Sequence, residues 1–198
     1  MIIVRNVDAI PHMPEPCGLT LGCFDGLHPG HLALLKHLRS KVGKTGTLAV
    51  LTFSNHPSWV LGNKPVKLIC SLEEKLKLLE SAGVDLVILL EFTPELASLT
   101  YQEFLSNIHG KYPFSYFALG KGSSFGKNRE GTEEKVVLLG KELGFQADYL
   151  NKVERNGEVV SSGKIRHYIE QKNFAKAKEL LGRSSFTTLF FYIIFTTI

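Results

Sequence analysis

Cysteine is scarce in this chain, and no apolar run is long enough to matter to a membrane. Cys17, Cys23 and Cys70 are the three cysteines among 198 residues. None forms a C-x-x-C pair, and an odd count without a secretory leader excludes a disulfide framework and fits a reducing, cytoplasmic setting. No basic stretch followed by an apolar core opens the sequence, so no signal peptide is expected. The most apolar segment, residues 186–198, falls short of the about 20 residues that a spanning helix needs, so no membrane partner is expected. Charge of one sign is also in short supply. The 23 Lys and Arg against 19 Asp and Glu leave a net charge of +4, too small and scattered for nucleic acid but suited to small anions. Repeats, low-complexity stretches and polar linkers are missing, so no residues remain for a second domain, and no feature sets an oligomeric state.

What is present is an ordinary globular composition, 44% hydrophobic and 21% charged, enough for one domain with a sizeable core. Strand-like apolar runs fall at residues 19–24, 47–53, 86–90, 116–119 and 147–150. Helical periodicity is clearest at 32–41, 71–81, 100–108 and 132–143, with Gly83 and Gly144 placed as C-terminal glycines. Strands alternating with helices predict an α/β fold, a parallel sheet flanked by helices on both faces. Ligands in such folds gather at the carboxyl ends of the strands.

Ten residues carry most of the functional signal: Gly22-Cys23-Phe24-Asp25-Gly26-Leu27-His28-Pro29-Gly30-His31. A short buried strand leads into them and a helix leads out, with Pro29 in the first turn, where its missing N–H costs nothing. A helix N-terminus offers unpaired N–H groups and a partial positive charge, which favour phosphate oxygens. Gly26 and Gly30 allow close backbone approach, and His28 and His31, three apart on one face, can both donate to phosphate. The pattern points to a nucleoside triphosphate. A zinc set can also be written from His28, His31 and Cys23, but Cys23 lies on the strand before the turn. Further on, Ser161 and Ser162 precede a helix, where hydroxyls cap the end or bind phosphate, and Arg166 can meet phosphate oxygens with a two-pronged donor.

The H-x-G-H run resembles the signature of the nucleotidyltransferase superfamily. Its Phe24-Asp25-Gly26 extension resembles the FMN adenylyltransferase module of prokaryotic FAD synthetases. Thr52-Phe53-Ser54-Asn55-His56-Pro57 is similar to that family's T-F-x-x-H-P. Ser71-Leu72-Glu73-Glu74-Lys75 and Ala82-Gly83-Val84-Asp85 resemble its helix-to-strand segment, and Leu119-Gly120 through Gly131 its glycine-bearing loop. Ser161-Ser162-Gly163-Lys164-Ile165-Arg166 resembles S-S-T-x-I-R, and Leu180-Leu181-Gly182-Arg183 the sequence that closes the module. The resemblance runs in order from about residue 18 to 183.

The resemblance implies a Rossmann-like nucleotidyltransferase fold over residues 1–183 and transfer of AMP from ATP to FMN, giving FAD and pyrophosphate with Mg2+. By the same resemblance, His28, His31 and Arg166 are catalytic. ATP would be bound by Gly22, Phe24, Asp25, Gly26, His28, His31, Ser161, Ser162 and Arg166, and the flavin by Phe53, His56, Pro57 and Phe125. The histidine pKa values should rise beside bound ATP. The bifunctional members carry a riboflavin kinase domain after the L-G-R sequence; here residues 184–198 are read as an apolar tail and no such domain is expected. Two departures stand out: Gly122-Ser123 replaces Asp or Asn followed by Phe, and Gly163 replaces a threonine. Alternative readings are a degenerate or truncated relative that binds flavin or nucleotide without turnover, and another H-x-G-H nucleotidyltransferase.

Overall fold

The computed structural model describes residues 1–62 and 66–183. Six strands, β1 (Ile2–Val4), β2 (Cys17–Leu21), β3 (Thr47–Phe53), β4 (Leu86–Leu90), β5 (Tyr116–Gly120) and β6 (Gln146–Leu150), form a sheet in the order β1-β4-β3-β2-β5-β6. Every pairing in it is parallel. All seven positions of β3 are buried, the continuous apolar run expected of a strand covered on both faces. Ala49 and Leu51 face one core, shared with Leu105 and Ile108 of α5 (Tyr101–Lys111) and Val136 and Leu139 of α6 (Glu133–Leu143). Leu48 and Val50 face the other, against Leu34, Leu35 and Leu38 of α1 (Pro29–Val42) and Leu79 of α3 (Leu72–Ser81). This is the expected α/β architecture.

Smaller elements follow or interrupt this frame. Helices α2 (Pro57–Val60) and α4 (Pro94–Ser98) are single turns, and β7 (Glu154–Arg155) pairs antiparallel with β8 (Glu158–Val159). Helices α7 (Ser162–Glu170) and α8 (Phe174–Leu181) bury Ile165, Ala177, Leu180 and Leu181 against Ile69 and Val160. That third cluster presses the C-terminal helices onto the loop before α3.

Side-chain caps fix several helix starts. Ser71 accepts from the Glu74 amide at α3, and Thr100 and Glu103 form a reciprocal capping box at α5. The strand expected at 19–24 stops at Leu21, because Phe24 takes a positive φ of 50° and the chain turns away from the sheet. The β7–β8 hairpin has no counterpart among the expected strands, although Asn156-Gly157, with φ of 48° and 76°, supplies its turn. Among the described residues no helix is long and apolar enough to cross a membrane, and Cys17, Cys23 and Cys70 are free thiols. The apolar tail lies outside the described residues.

Candidate active site

From β2 the chain winds to β3 on one side, while β5 returns to the other side of β2. The carboxyl ends of β2 and β5 therefore flank the reversal in strand order, where a doubly wound sheet opens a crevice. A cavity of about 190 Å3, the more polar of two at this edge, occupies it, lined by His28, His31, Ser123 and Lys152 together with Leu34 and Leu150 among others. A second cavity of about 290 Å3 lies beyond β2, lined by Phe53, Phe92, Leu96, Phe104, Phe125 and Arg129 among others. Leu21, the last residue of β2, lines both.

The turn between β2 and α1 sets the histidines. His28 is the N-cap of α1: its Nδ1 accepts the His31 amide at 3.4 Å, with Pro29 following at the first helical position. That bond requires the Nδ1 lone pair, so the neutral ring carries its proton on Nε2 and can offer it outward. The two rings stack at 3.7 Å, 14° from parallel. Phe24 is buried and supports His31 with its own ring at 4.8 Å. Gly30 lines the cavity and also makes room for this stack, since a Cβ there would come within 3.1 Å of the His28 ring. Gly26, at φ 80°, would drive a Cβ to 2.9 Å from Ile69.

Burial holds both imidazoles neutral. It lowers His28 from 6.5 to about 4, against its own backbone hydrogen bond and with help from Arg166 and Arg183. His31 lies well below 6.5, through burial and then the His28 and Lys75 charges. The Nδ1 of His31 is buried without a hydrogen-bond partner, a donor or acceptor left open beside the more polar cavity.

Asp25 and Arg166 meet each other rather than open space. The Asp25 carboxylate, 4% exposed, accepts Arg166 Nη1 at 2.6 Å, the Ile69 amide at 2.9 Å and the Cys70 amide at 3.2 Å. Ser162 Oγ donates to the Asp25 carbonyl, and Ser161 caps α7 by accepting the Lys164 amide. The Gly26 amide donates to Cys70 Sγ, and the Arg183 guanidinium donates to the carbonyls of Gly26 and Leu27. Gly22 donates to Leu51 while lining the more polar cavity.

Of the residues expected at a flavin, Phe53 and Phe125 line the apolar cavity. Pro57 starts α2, and His56 caps it while lining an adjoining small recess with Cys23, Asp25 and Lys75. Sequence reasoning missed Leu21, Phe92, Phe104 and Lys75. Lys75 had a visible signal, a charge among Leu72, Leu76 and Leu79 on the apolar stripe of α3. Among the described residues no three His, Cys, Asp or Glu cluster as metal ligands, so Cys23 does not join the histidines.

A family model described as FAD synthetase matches residues 10–164. The bifunctional riboflavin kinase/FMN adenylyltransferase of Escherichia coli (strain K12) is 33% identical over 188 residues, which cover 92% of this chain and 59% of that protein. A FAD synthetase of Listeria monocytogenes is 31% identical over 172 residues, covering 86% of this chain and 70% of its own length. A solved structure described as a macrolide-efflux protein from Streptococcus pneumoniae superposes with a TM-score of 0.79 at 27% identity, over 92% of this chain and 60% of that one. A pantothenate synthetase from Thermus thermophilus shares the fold, with a TM-score of 0.60 at 21% identity over 89% of this chain and 71% of that one. The chain thus spans about three fifths of the bifunctional relative from E. coli.

Proposed function

This chain belongs to the FAD synthetase family, and we propose that residues 1–183 catalyse adenylyl transfer from MgATP to FMN, giving FAD and pyrophosphate. The observation that carries the proposal is the pair of cavities with Leu21 as common wall. The more polar one opens at a helix N-terminus beside two histidines; the other is apolar and aromatic, suited to an isoalloxazine ring. Two substrates bound there would meet over the carboxyl end of β2.

An oxygen of the FMN phosphate attacks the α-phosphorus of ATP, the new P–O bond forms, and the bond to the β-phosphate bridging oxygen breaks to release pyrophosphate. The nucleophile is already an anion, so no general base is needed and the work is alignment and charge stabilisation. His28 offers its Nε2 proton, the Gly30 amide offers its N–H, and Arg166, anchored by one nitrogen to Asp25, offers the rest of its fork. Magnesium enters as part of the nucleotide: Asp25, the carboxylate nearest the turn, is already engaged by two amides and an arginine. Three free thiols suit a reducing, cytoplasmic setting.

Purified protein incubated with FMN and MgATP is expected to yield FAD and pyrophosphate in equal amounts. Nucleotide and flavin binding without FAD would overturn transfer in favour of a binding protein.

A further inference from the structure

We infer that Lys75 is a positioning residue, a buried ammonium that ties the carboxyl ends of β2 and β3 together and so holds the nucleotide turn and the flavin cavity in register. The inference rests on the adenylyl transfer proposed above. Lys75 projects from α3 and is 8% exposed. Its Nζ donates to the Phe53 carbonyl at 2.7 Å, to Thr52 Oγ1 at 3.2 Å and to the Cys23 carbonyl at 3.3 Å. Thr52 Oγ1 in turn donates to that same Cys23 carbonyl at 3.1 Å. Phe53 lines the apolar cavity, and Cys23 immediately precedes Phe24, the residue that supports the His31 ring. One side chain therefore grips both halves of the site.

The chemistry of the grip favours a charged lysine. An ammonium has three N–H donors, one for each of the three oxygens, whereas a neutral amine has only two and would leave the Cys23 carbonyl to Thr52 alone. Burial nonetheless pushes Lys75 below the ordinary lysine range. No described carboxylate lies within ion-pair distance, since Lys75 is absent from every salt bridge of the described residues. A buried cation without a counterion weakens a fold; a methionine of similar length would fill the same space and remove that penalty, at the cost of the three donated hydrogen bonds. A charge kept there at the expense of stability fits a site that brings two polyanions together.

Lys75→Met and Lys75→Arg, compared with the wild-type chain, test this by FMN fluorescence titration, MgATP calorimetry, thermal melting and FAD formation. Lys75→Met is expected to melt within about 10 °C of wild type while its affinities for FMN and MgATP each fall about fivefold or more, the scale of a lost hydrogen-bond network. Lys75→Arg is expected to recover part of both. Affinities within about twofold of wild type in Lys75→Met, less than the loss of one typical hydrogen bond, overturn the inference. So does a loss of binding in both variants that merely follows a fall in melting temperature of more than about 10 °C, the mark of a purely structural residue. If wild type forms no FAD, transfer fails and the affinities alone decide the role of Lys75.

Discussion

Arg166 holds Asp25 at 2.6 Å across 141 residues of sequence. Both belong to motifs that resemble nucleotide-binding signatures, and one positions the other. The Asp25 carboxylate also closes the loop before α3 through the Ile69 and Cys70 amides, so the ion pair lies at the junction of the nucleotide turn, that loop and α7.

The two partners should fail differently. Asp25→Asn leaves Arg166 without its counter-charge and is expected to destabilise the fold toward the lower end of the about 3–5 kcal/mol seen when a buried pair is broken, because Arg166 retains solvent contact. Arg166→Ala leaves Asp25 with its two amides, so stability should fall less and MgATP affinity more. Urea melts and nucleotide titrations on both variants measure the contrast, and equal effects on both readouts would dissolve the distinction.

His28 has two roles that substitution can separate. His28→Ala removes a helix cap, worth about 1 kcal/mol, together with the phosphate donor. His28→Asn keeps a capping side chain and loses the imidazole, so it should melt near wild type yet turn over about a hundredfold more slowly, the scale of one preorganised donor. His31→Ala is expected to lose turnover on the same scale.

Acid should unfold the chain through these rings. Because burial depresses the folded-state pKa of His28 from 6.5 to about 4, and that of His31 well below 6.5, protonation favours the unfolded chain. Their contribution is complete above pH 6.5 and is lost as the pH falls toward 4. Melting temperatures across that range should drop, with a shallower fall in a His28→Asn, His31→Asn double variant.

Bound triphosphate reverses the balance by favouring the imidazolium. Binding of MgATP between pH 5 and 6.5 is therefore expected to draw protons from solution, seen as a buffer-dependent calorimetric heat. The double variant should show a smaller uptake, and an unchanged one would remove the histidines from the phosphate site.

Glycines that depart from the family pattern differ in what they permit. Gly163 has no atom within 4 Å of an added Cβ and carries no positive φ, so Gly163→Thr should raise the melting temperature through helix preference and raise turnover through its hydroxyl. Gly122 sits at φ 80°, where Asn is tolerated and most residues are not. Gly122→Asn should hold stability within about 1 kcal/mol, while Gly122→Val should lose more; equal denaturation midpoints for the two would refute the strain.

Five strands of the sheet were legible, β3 and β4 most plainly because they are buried on both faces and read as unbroken apolar runs, whereas the short edge strand β1, with Ile2 and Ile3 exposed, was not. Helix starts were legible where a cap announces them, as Thr100 and Ser71 do. The histidine turn was legible as a motif, but the reason for Gly30 was not, because the clash it avoids is with the His28 ring. Arg166 was read as a free phosphate donor because its partner stands 141 residues away, and spacing along a chain carries no trace of such pairs. The apolar cavity was half legible: Phe53 and Phe125 sit in motifs, whereas Phe92 and Phe104 come from elements that look like ordinary core.

Three of the contacts that complete the histidine turn come from far downstream: Ser162 to Asp25, Arg166 to Asp25 and Arg183 to Gly26, at separations of 137, 141 and 157 residues. The residues that leave the ribosome early are thus finished by some of the last described ones to emerge. A nascent chain could assemble β2, α1 and β3 and still lack a competent site until α7 and α8 had docked, so the site matures well after the histidine turn itself is made.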